Sequence, residues 1–335
     1  MLLMRILSRF LSIAVTLFGV ALVVFVVIRL IPGNPIAMML PPGATGDDIA
    51  RLTPLYGFDK SIPQQFIIWL SGVLQGDFGT SISLRQDVLG LVLGRLPGTL
   101  ELAGLALIFA LAIGATLAII GTIRRGKKTE TGIDIWNGLT LSTPDFLWGL
   151  ALILLFGVVL QWFGISGRIS PQLDLPFVTQ FYLLESLVRL RLDLTANLLA
   201  HMWMPALALA LPLSAMIAQV LKVSLKEVMT LDYTLLARTK GYSERQVIFR
   251  EALRNAALPT LALTGVQLTH LIGGTIIVER LFSYGGLGSM AIDAVINRDL
   301  PLIQGIVLTF AVIFVAINLI IDMLYTVLNP RLRHG

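Results

Sequence analysis

The chain has no cysteine, only three histidines and few charges: Asp, Glu, Lys and Arg make up 13% of its 335 residues. Without cysteine there is no disulfide framework, no thiol nucleophile and no thiolate metal site. His201, His270 and His334 occur without an HExxH spacing, which removes the usual zinc arrangements. A soluble domain carries about 25% charged residues; here 56% of residues are hydrophobic and mean hydropathy is +0.85. The class that remains is a polytopic membrane protein. No repeat period is visible, and intramembrane ionisable residues are few, so the signature of a secondary transporter is missing.

Arg5 and Arg9 precede the uncharged run Phe10–Ile28. That run is longer than a signal-peptide core and no small-x-small site follows, so it reads as an uncleaved first span. Pro32 and Pro35 end it. Residues 32–97 then form a polar external segment. Within it, Phe66, Trp69, Leu70, Val73 and Leu74 make the apolar face of a helix too short to span, which lies at the interface or packs on the spans. Further spans are expected at about 102–123, 135–160, 202–221, 258–278 and 301–321. The third contains Pro144 and Asp145. This gives three regions: the N-terminal tail and first span (1–31), the external segment (32–97), and a core (98–335) with a polar loop at 223–257.

With both termini inside, 15 of the 25 Lys and Arg fall on the cytoplasmic side, concentrated in two short loops. The net charge of +5 therefore reads as membrane orientation and not as nucleic-acid binding. The string Gly121-Thr122-Ile123-Arg124-Arg125-Gly126-Lys127-Lys128 is one residue short of a phosphate loop. A true one needs Ser or Thr after its Lys and a strand before its first Gly. No ATPase site is expected in this chain. Gly164-Ile165-Ser166-Gly167 with His201 or His270 is the best case for an intramembrane serine protease, but the string also marks an ordinary turn.

Two features bear on a substrate path. Thr260, Thr264, Gln267, His270 and Gly274 share one face of span five, where helix packing and a path lining are both open readings. Asp145 is an acid deep in a span. Such a residue faces water or protein, either as part of a path, or paired with a neighbouring helix, or satisfied by backbone freed at Pro144.

The most polar and basic stretch is Asp232–Pro259. It reads as two short helices hinged at Gly241, neither long enough to cross a bilayer. Asp232 is expected to N-cap the first, with Tyr233, Leu236, Ala237 and Lys240 on one face. Gly241 suits the C′ position. Ser243 and Gln246 have capping-box spacing for the second helix. There Ile248, Phe249, Ala252, Leu253 and Ala256 fall on one side, and Arg245, Glu251 and Arg254 towards the other.

Within that stretch, Ala237-Arg238-Thr239-Lys240-Gly241, Ala252-Leu253-Arg254-Asn255-Ala256 and Leu258-Pro259 resemble the cytoplasmic EAA loop of ABC importer permeases. The form is similar to that of the dipeptide, oligopeptide and nickel permease family, in its first, B-type subunit. Leu235 departs from the Glu of many permeases, and Glu251 and Arg254 from the Ile and Pro of the general motif. Tyr56-Gly57-Phe58-Asp59-Lys60 and Gly76-Asp77-Phe78-Gly79-Thr80-Ser81 resemble the family's first external region. Glu279–Gly288 resembles the segment after span five, with Gly285 where Pro is usual, so a looser backbone is expected there. Asp322-Met323-Leu324-Tyr325 and Asn329-Pro330-Arg331 resemble the closing signature.

The resemblance implies an all-α, six-span type I importer permease of the bacterial cytoplasmic (inner) membrane, with both termini cytoplasmic. It implies coupling to ATPases through Tyr233, Ala237, Arg238, Lys240, Gly241, Glu251, Arg254 and Asn255. Asp145, Gln267, His270 and Gly274 are then path candidates, and Glu279, Phe282, Gly286 and Gly288 candidates for an external gate. The implied partners are a second, similar permease, two ATPase subunits, an external substrate-binding protein and the lipid bilayer, with no nucleic acid. No cofactor is expected on this chain, since ATP and magnesium belong to the ATPase subunits. Di- and oligopeptides are the implied substrates; nickel chelates, opines and glutathione are also carried within the family.

Overall fold

The computed structural model describes residues 2–30, 46–55, 59–170, 172–173 and 177–328. The expectations for Pro32 and Pro35, for Tyr56-Gly57-Phe58 and for Asn329-Pro330-Arg331 lie outside these residues, as do the side chains of Asp322 and Tyr325. The chain divides into two compact units, one of Met1–Leu96 with Met290–Ala316, the other of Pro97–Ser289 with Ile317–Gly335.

In the first unit, α1 (Leu2–Leu30) is the long N-terminal helix, followed by α2 (Gly46–Leu55) and α3 (Ile62–Leu74). The short amphipathic helix expected from Phe66 and Trp69 is α3, and it packs on α1. The Phe66 ring meets Phe18 at 5.8 Å and Phe25 at 5.1 Å, and Trp69 meets Phe25 at 5.4 Å. Gln65 of α3 accepts from Arg29 Nε at 2.9 Å, so the charged end of α1 is held by the same helix. After α3 the chain turns through Gly76 and Gly79, at φ +87° and +82°, which only glycine adopts freely. The segment Ser81–Ser83 then closes on Asp299, which is buried completely. Its Oδ2 accepts from Ser81 Oγ (2.6 Å), Ser83 Oγ (2.7 Å) and Ser83 N–H (3.0 Å), and its Oδ1 from Leu302 N–H (3.2 Å).

The second unit begins inside α4 (Val88–Ile123) and continues with α5 (Lys128–Ser142) and α6 (Asp145–Leu152), which runs on as π-helical turns at Ile153–Val159. After α7 (Tyr182–Val188) comes α8 (Leu192–Val228), the hub of the unit. Its most apolar stretch is 72% buried, against 17–33% in the other long apolar helices. Gly114 lets α4 approach it closely: a Cβ there would lie 2.7 Å from the Ser214 carbonyl oxygen and from Ile217 Cγ2. Next come α9 (Asp232–Thr239), α10 (Glu244–Gln246), π-helical turns at Val247–Ala252 and α11 (Leu253–Leu281). The remaining helices, α12 (Leu287–Ile296) and α13 (Leu300–Leu328), each cross the division between the units.

Among the described residues, five helices are long and apolar enough to cross a membrane, and α5 with α6 qualifies as a sixth span broken by a 103° bend. The break has a local cause. Pro144 cannot continue α5, and it forces Thr143 out of the helical region to φ −104°, ψ 119°.

The structure corrects three local expectations. The N-cap of α9 is Leu231, with Asp232 as first helical residue, where its charge suits the helix dipole without capping a backbone group. The second helix of the polar stretch is not a separate short element: Glu244–Leu281 is continuous into span five. Pro259 sits within it, as prolines do in membrane helices whose freed carbonyls find other partners. Finally, Phe249 does not share the buried side with Ile248, Ala252 and Ala256; it is 59% exposed. The π-helical turns shift the register at Val247–Ala252, so Val247 takes the buried place.

Candidate functional site

The stretch from Asp232 to Ala256 is held by a defined set of bonds. Helix α9 ends in a Schellman motif: Tyr242 N–H donates to the Ala237 carbonyl (3.2 Å) and Gly241 N–H to that of Arg238 (2.9 Å). Gly241 takes φ +84°, as a C′ glycine should. Gln246 Oε1 then accepts from Ser243 N–H at 2.8 Å, completing the expected capping box. Across the hinge, the Arg238 guanidinium forks onto both Glu244 oxygens at 2.8 and 3.1 Å and donates to the Met229 carbonyl at 3.1 Å. The Glu244 carboxylate holds the Arg238 guanidinium above its ordinary pKa. Asn255 Nδ2 donates to the Tyr233 hydroxyl at 2.8 Å.

One side of this element is buried against α8 through Thr234, Ala237, Val247, Ile248, Ala252 and Ala256. The face proposed from sequence is rotated. Thr234 and Ala237 point inward, while Leu236 and Lys240 are exposed, with Tyr233 half-buried. The other side carries Leu231, Leu235, Leu236 and Phe249, exposed by 46–59%, beside exposed Lys240, Arg250, Arg254 and Asn255. Glu251 is half-buried.

The path candidates converge. A cavity of about 240 Å³ is lined by Asp145, Gln267 and His270, together with Leu141, Pro212 and Met216. Gly274 adjoins it: a Cβ there would stand 2.8 Å from Asp145 Oδ2. Gln267 Nε2 contacts Met216 Sδ at 3.0 Å. Thr260 and Thr264, on the same face in sequence, are buried instead, and Thr264 donates to the Thr260 carbonyl at 2.8 Å. The polar face of span five thus divides into a packing half and a cavity half. A second cavity of about 350 Å³, lined by Asp134, Asn137, Gln219, Lys222 and Lys226, shares Leu141 with the first.

Glu279, Gly286 and Gly288 also come together, and Phe282, one turn on from Glu279, is buried like them. Glu279 Oε1 accepts from Thr99 Oγ1 at 2.6 Å, and Oε2 from Ser289 N–H at 3.0 Å. Thr99 Oγ1 accepts in turn from Leu287 N–H at 2.8 Å. The pair thereby satisfies first-turn donors of α12 and places a negative charge at its N-terminus. A Cβ on Gly286 would lie 2.6 Å from Glu279 Cδ and from Thr99 Oγ1. Ser283, at φ +47°, closes α11, and Gly285 at φ +74° holds a conformation closed to proline. The expected looser backbone is thus a specific left-handed turn.

Sequence reading missed two charge clusters. Lys222 Nζ bonds both Asp134 oxygens (2.7 and 2.8 Å) and pairs with Glu130 (2.9 Å), which also holds Lys226 (2.9 Å). Arg168 pairs with buried Glu101 at 2.8 Å and lies 4.3 Å over the Tyr182 ring. The i,i+4 spacing of Glu130 and Asp134 was a usable signal for the first. Nothing in the sequence joins Glu101 to Arg168. His201 lies beside the protease string, its Nε2 3.0 Å from where a Cβ on Gly164 would stand. No hydrogen bond joins Ser166 to His201 or His270 among the described residues, and His201 Nδ1 pairs with the Asn197 carbonyl at 2.9 Å. Gly121 of the phosphate-loop string lies inside α4.

Broken and continuous apolar helices packed on α8 within the second unit, with one partly exposed polar element and further apolar helices long enough to span, are the make-up of a multi-pass membrane protein. The chain belongs to the family described as binding-protein-dependent transport system inner membrane component, matched over residues 89–334, with the family's N-terminal region matched over 2–103. It is 36% identical over 324 residues to the di/tripeptide transport system permease protein DppB of Pseudomonas aeruginosa, covering 95% of each chain. It is 36% identical over 326 residues to the dipeptide transport system permease protein DppB of Escherichia coli K12, again covering 95% of each. Against the oligopeptide transport system permease protein AppB of Bacillus subtilis the identity is 32% over 319 residues, covering 95% of each. Its fold resembles a chain of the inward-facing MetNI methionine ABC transporter, with TM-score 0.55, 14% identity, and coverage of 72% of this chain and 97% of that one. As a permease of this family, it works with other transporter subunits.

Proposed function

We propose that this chain is one of two permease subunits of an ATP-driven importer of di- or oligopeptides in a bacterial inner membrane. A second, similar permease completes the path, two ATPase subunits hydrolyse ATP, and an external binding protein delivers substrate. The chain itself contributes no ATPase site. The observation that carries this reading is the element Asp232–Ala256: a hydrogen-bonded hinge with three large apolar side chains, Leu235, Leu236 and Phe249, exposed beside basic ones. An apolar patch rimmed by polar residues marks a partner surface. Docked in a cleft of an ATPase, it would convey nucleotide-driven motion to α8 and α11, which it joins. The cavity beside Asp145 would form this subunit's wall of the path. Its relatives' names support peptides as cargo.

The test is reconstitution of the complete importer in proteoliposomes. ATP-dependent uptake of a labelled dipeptide is expected. Uptake of nickel chelates, opines or glutathione in its place would reassign the cargo, and no ATP-dependent uptake would overturn the reading.

A further inference from the structure

The cavity of about 240 Å³ contains one carboxylate, that of Asp145, and no ion pair neutralises it among the described residues. Its Oδ1 accepts from Phe146 N–H at 2.8 Å, an ordinary first-turn contact of a restarting helix. Its Oδ2 lies over Gly274, where any side chain would displace it. No side-chain donor reaches the carboxylate among the described residues. The structure meets the usual requirement that an intramembrane acid face water or protein by opening the helix beside it: α5 and α6 bend by 103° at Thr143–Pro144, directly before the acid. The rest of the wall is aliphatic apart from Thr143, Gln267 and His270. A small cavity with apolar walls and a single negative group selects one chemistry, a cation with an apolar body.

We propose that this cavity is a station for the free ammonium group of the travelling solute. The proposal rests on the peptide reading above, because a peptide's amino terminus is the ammonium it would take. Asp145 gives that group a counter-charge when it loses hydration. One carboxylate without further side-chain donors holds it weakly enough for release, as a conducting site must. Leu141, shared with the second cavity, marks where the solute would leave.

The chain has no cysteine, so Leu141→Cys places a single thiol in the cavity wall. Its modification in the assembled importer is followed by mass spectrometry of this chain. Two thiosulfonate reagents of equal length are used, one ending in trimethylammonium and one in sulfonate. After correction for reactivity with a free thiol, the cationic reagent is expected to react about ten-fold faster, and Asp145→Asn to bring the ratio to within about two-fold of unity. A free dipeptide should protect the thiol, its N-acetylated form should protect less, and in Asp145→Asn the two should protect alike. A ratio near one with Asp145 intact, a ratio that Asp145→Asn leaves unchanged, or equal protection by the two peptides with Asp145 intact overturns the station. The first and third of these are read without the variant, so a failure of Asp145→Asn to assemble leaves the proposal decidable. Dipeptide uptake by the same vesicles separates the two readings. Uptake without charge-selective labelling discards the station and keeps the peptide importer. Charge-selective labelling without peptide uptake or protection discards the peptide reading, and the proposal with it.

Discussion

Asn255 donates to the Tyr233 hydroxyl at 2.8 Å across 22 residues of sequence, tying the start of α11 to the first turn of α9. With Arg238 forked onto Glu244, this makes the proposed coupling element a closed clasp around Gly241.

The clasp depends on the φ of +84° at Gly241. An L-residue in that region costs about 1–2 kcal/mol, and a β-branched one more. Gly241→Val should therefore open the clasp while the spans insert normally. ATP-dependent uptake is expected to fall about ten-fold, in keeping with a strain of that size, with membrane yield unchanged. Undiminished uptake and substrate-stimulated ATPase activity would show that the hinge does not transmit motion.

The Glu279 carboxylate is buried completely and accepts from Thr99 and Ser289. Glu279→Ala would strand these donors and loosen the N-terminus of α12. A loss of about 3 kcal/mol is expected for breaking such a buried charged network. Glu279→Gln, which keeps one acceptor oxygen, should lose less. Thermal melts of the purified protein check this: equal melting for Glu279→Ala and the parent would refute the anchoring role.

Topology is tested by reporter fusions. Those at Gly126 and Ser243 should report cytoplasm, and those at Thr80 and Asp193 the opposite side, as the distribution of Lys and Arg requires. An external report at Ser243 would remove both the coupling role and the six-span reading.

What the sequence made legible was what local chemistry dictates. The Gly241 turn, the Ser243–Gln246 box, the break at Pro144 and the short helix carrying Phe66 all follow from nearby residues. The convergence of Asp145 with Gln267 and His270 followed in part, because a charge or an amide in an apolar span stands out. Met216 and Pro212, which complete that cavity, read as ordinary apolar helix residues and gave no signal. Phe249 was misassigned because a π-helical register breaks the 3.6-residue period on which facing arguments rest. Thr99 with Glu279, 180 residues apart, required the tertiary fold.

Asp299 provides a pH test. Burial alone would raise its pKa, but donors from Ser81 and Ser83 outweigh burial and hold the carboxyl below its ordinary value of 3.8. A folded-state pKa below the unfolded one means the unfolded chain binds the proton more readily. The carboxylate therefore contributes stability that is full above the unfolded value, about 3.9, and is lost as pH falls through the lower folded value. Three donors share Oδ2, two hydroxyls and one backbone N–H, so protonating that oxygen sets a proton against them. Asp299→Asn replaces one acceptor oxygen with a donor and should cost about 2 kcal/mol at neutral pH, the scale of a lost charged hydrogen bond. It should also flatten the acid limb of the stability curve. Melting temperatures of the two proteins, measured from pH 7 down to about 3 across this transition, are expected to converge as the pH falls. A constant gap between them over that range would mean that Asp299 is not the group whose protonation loosens the Ser81–Ser83 segment.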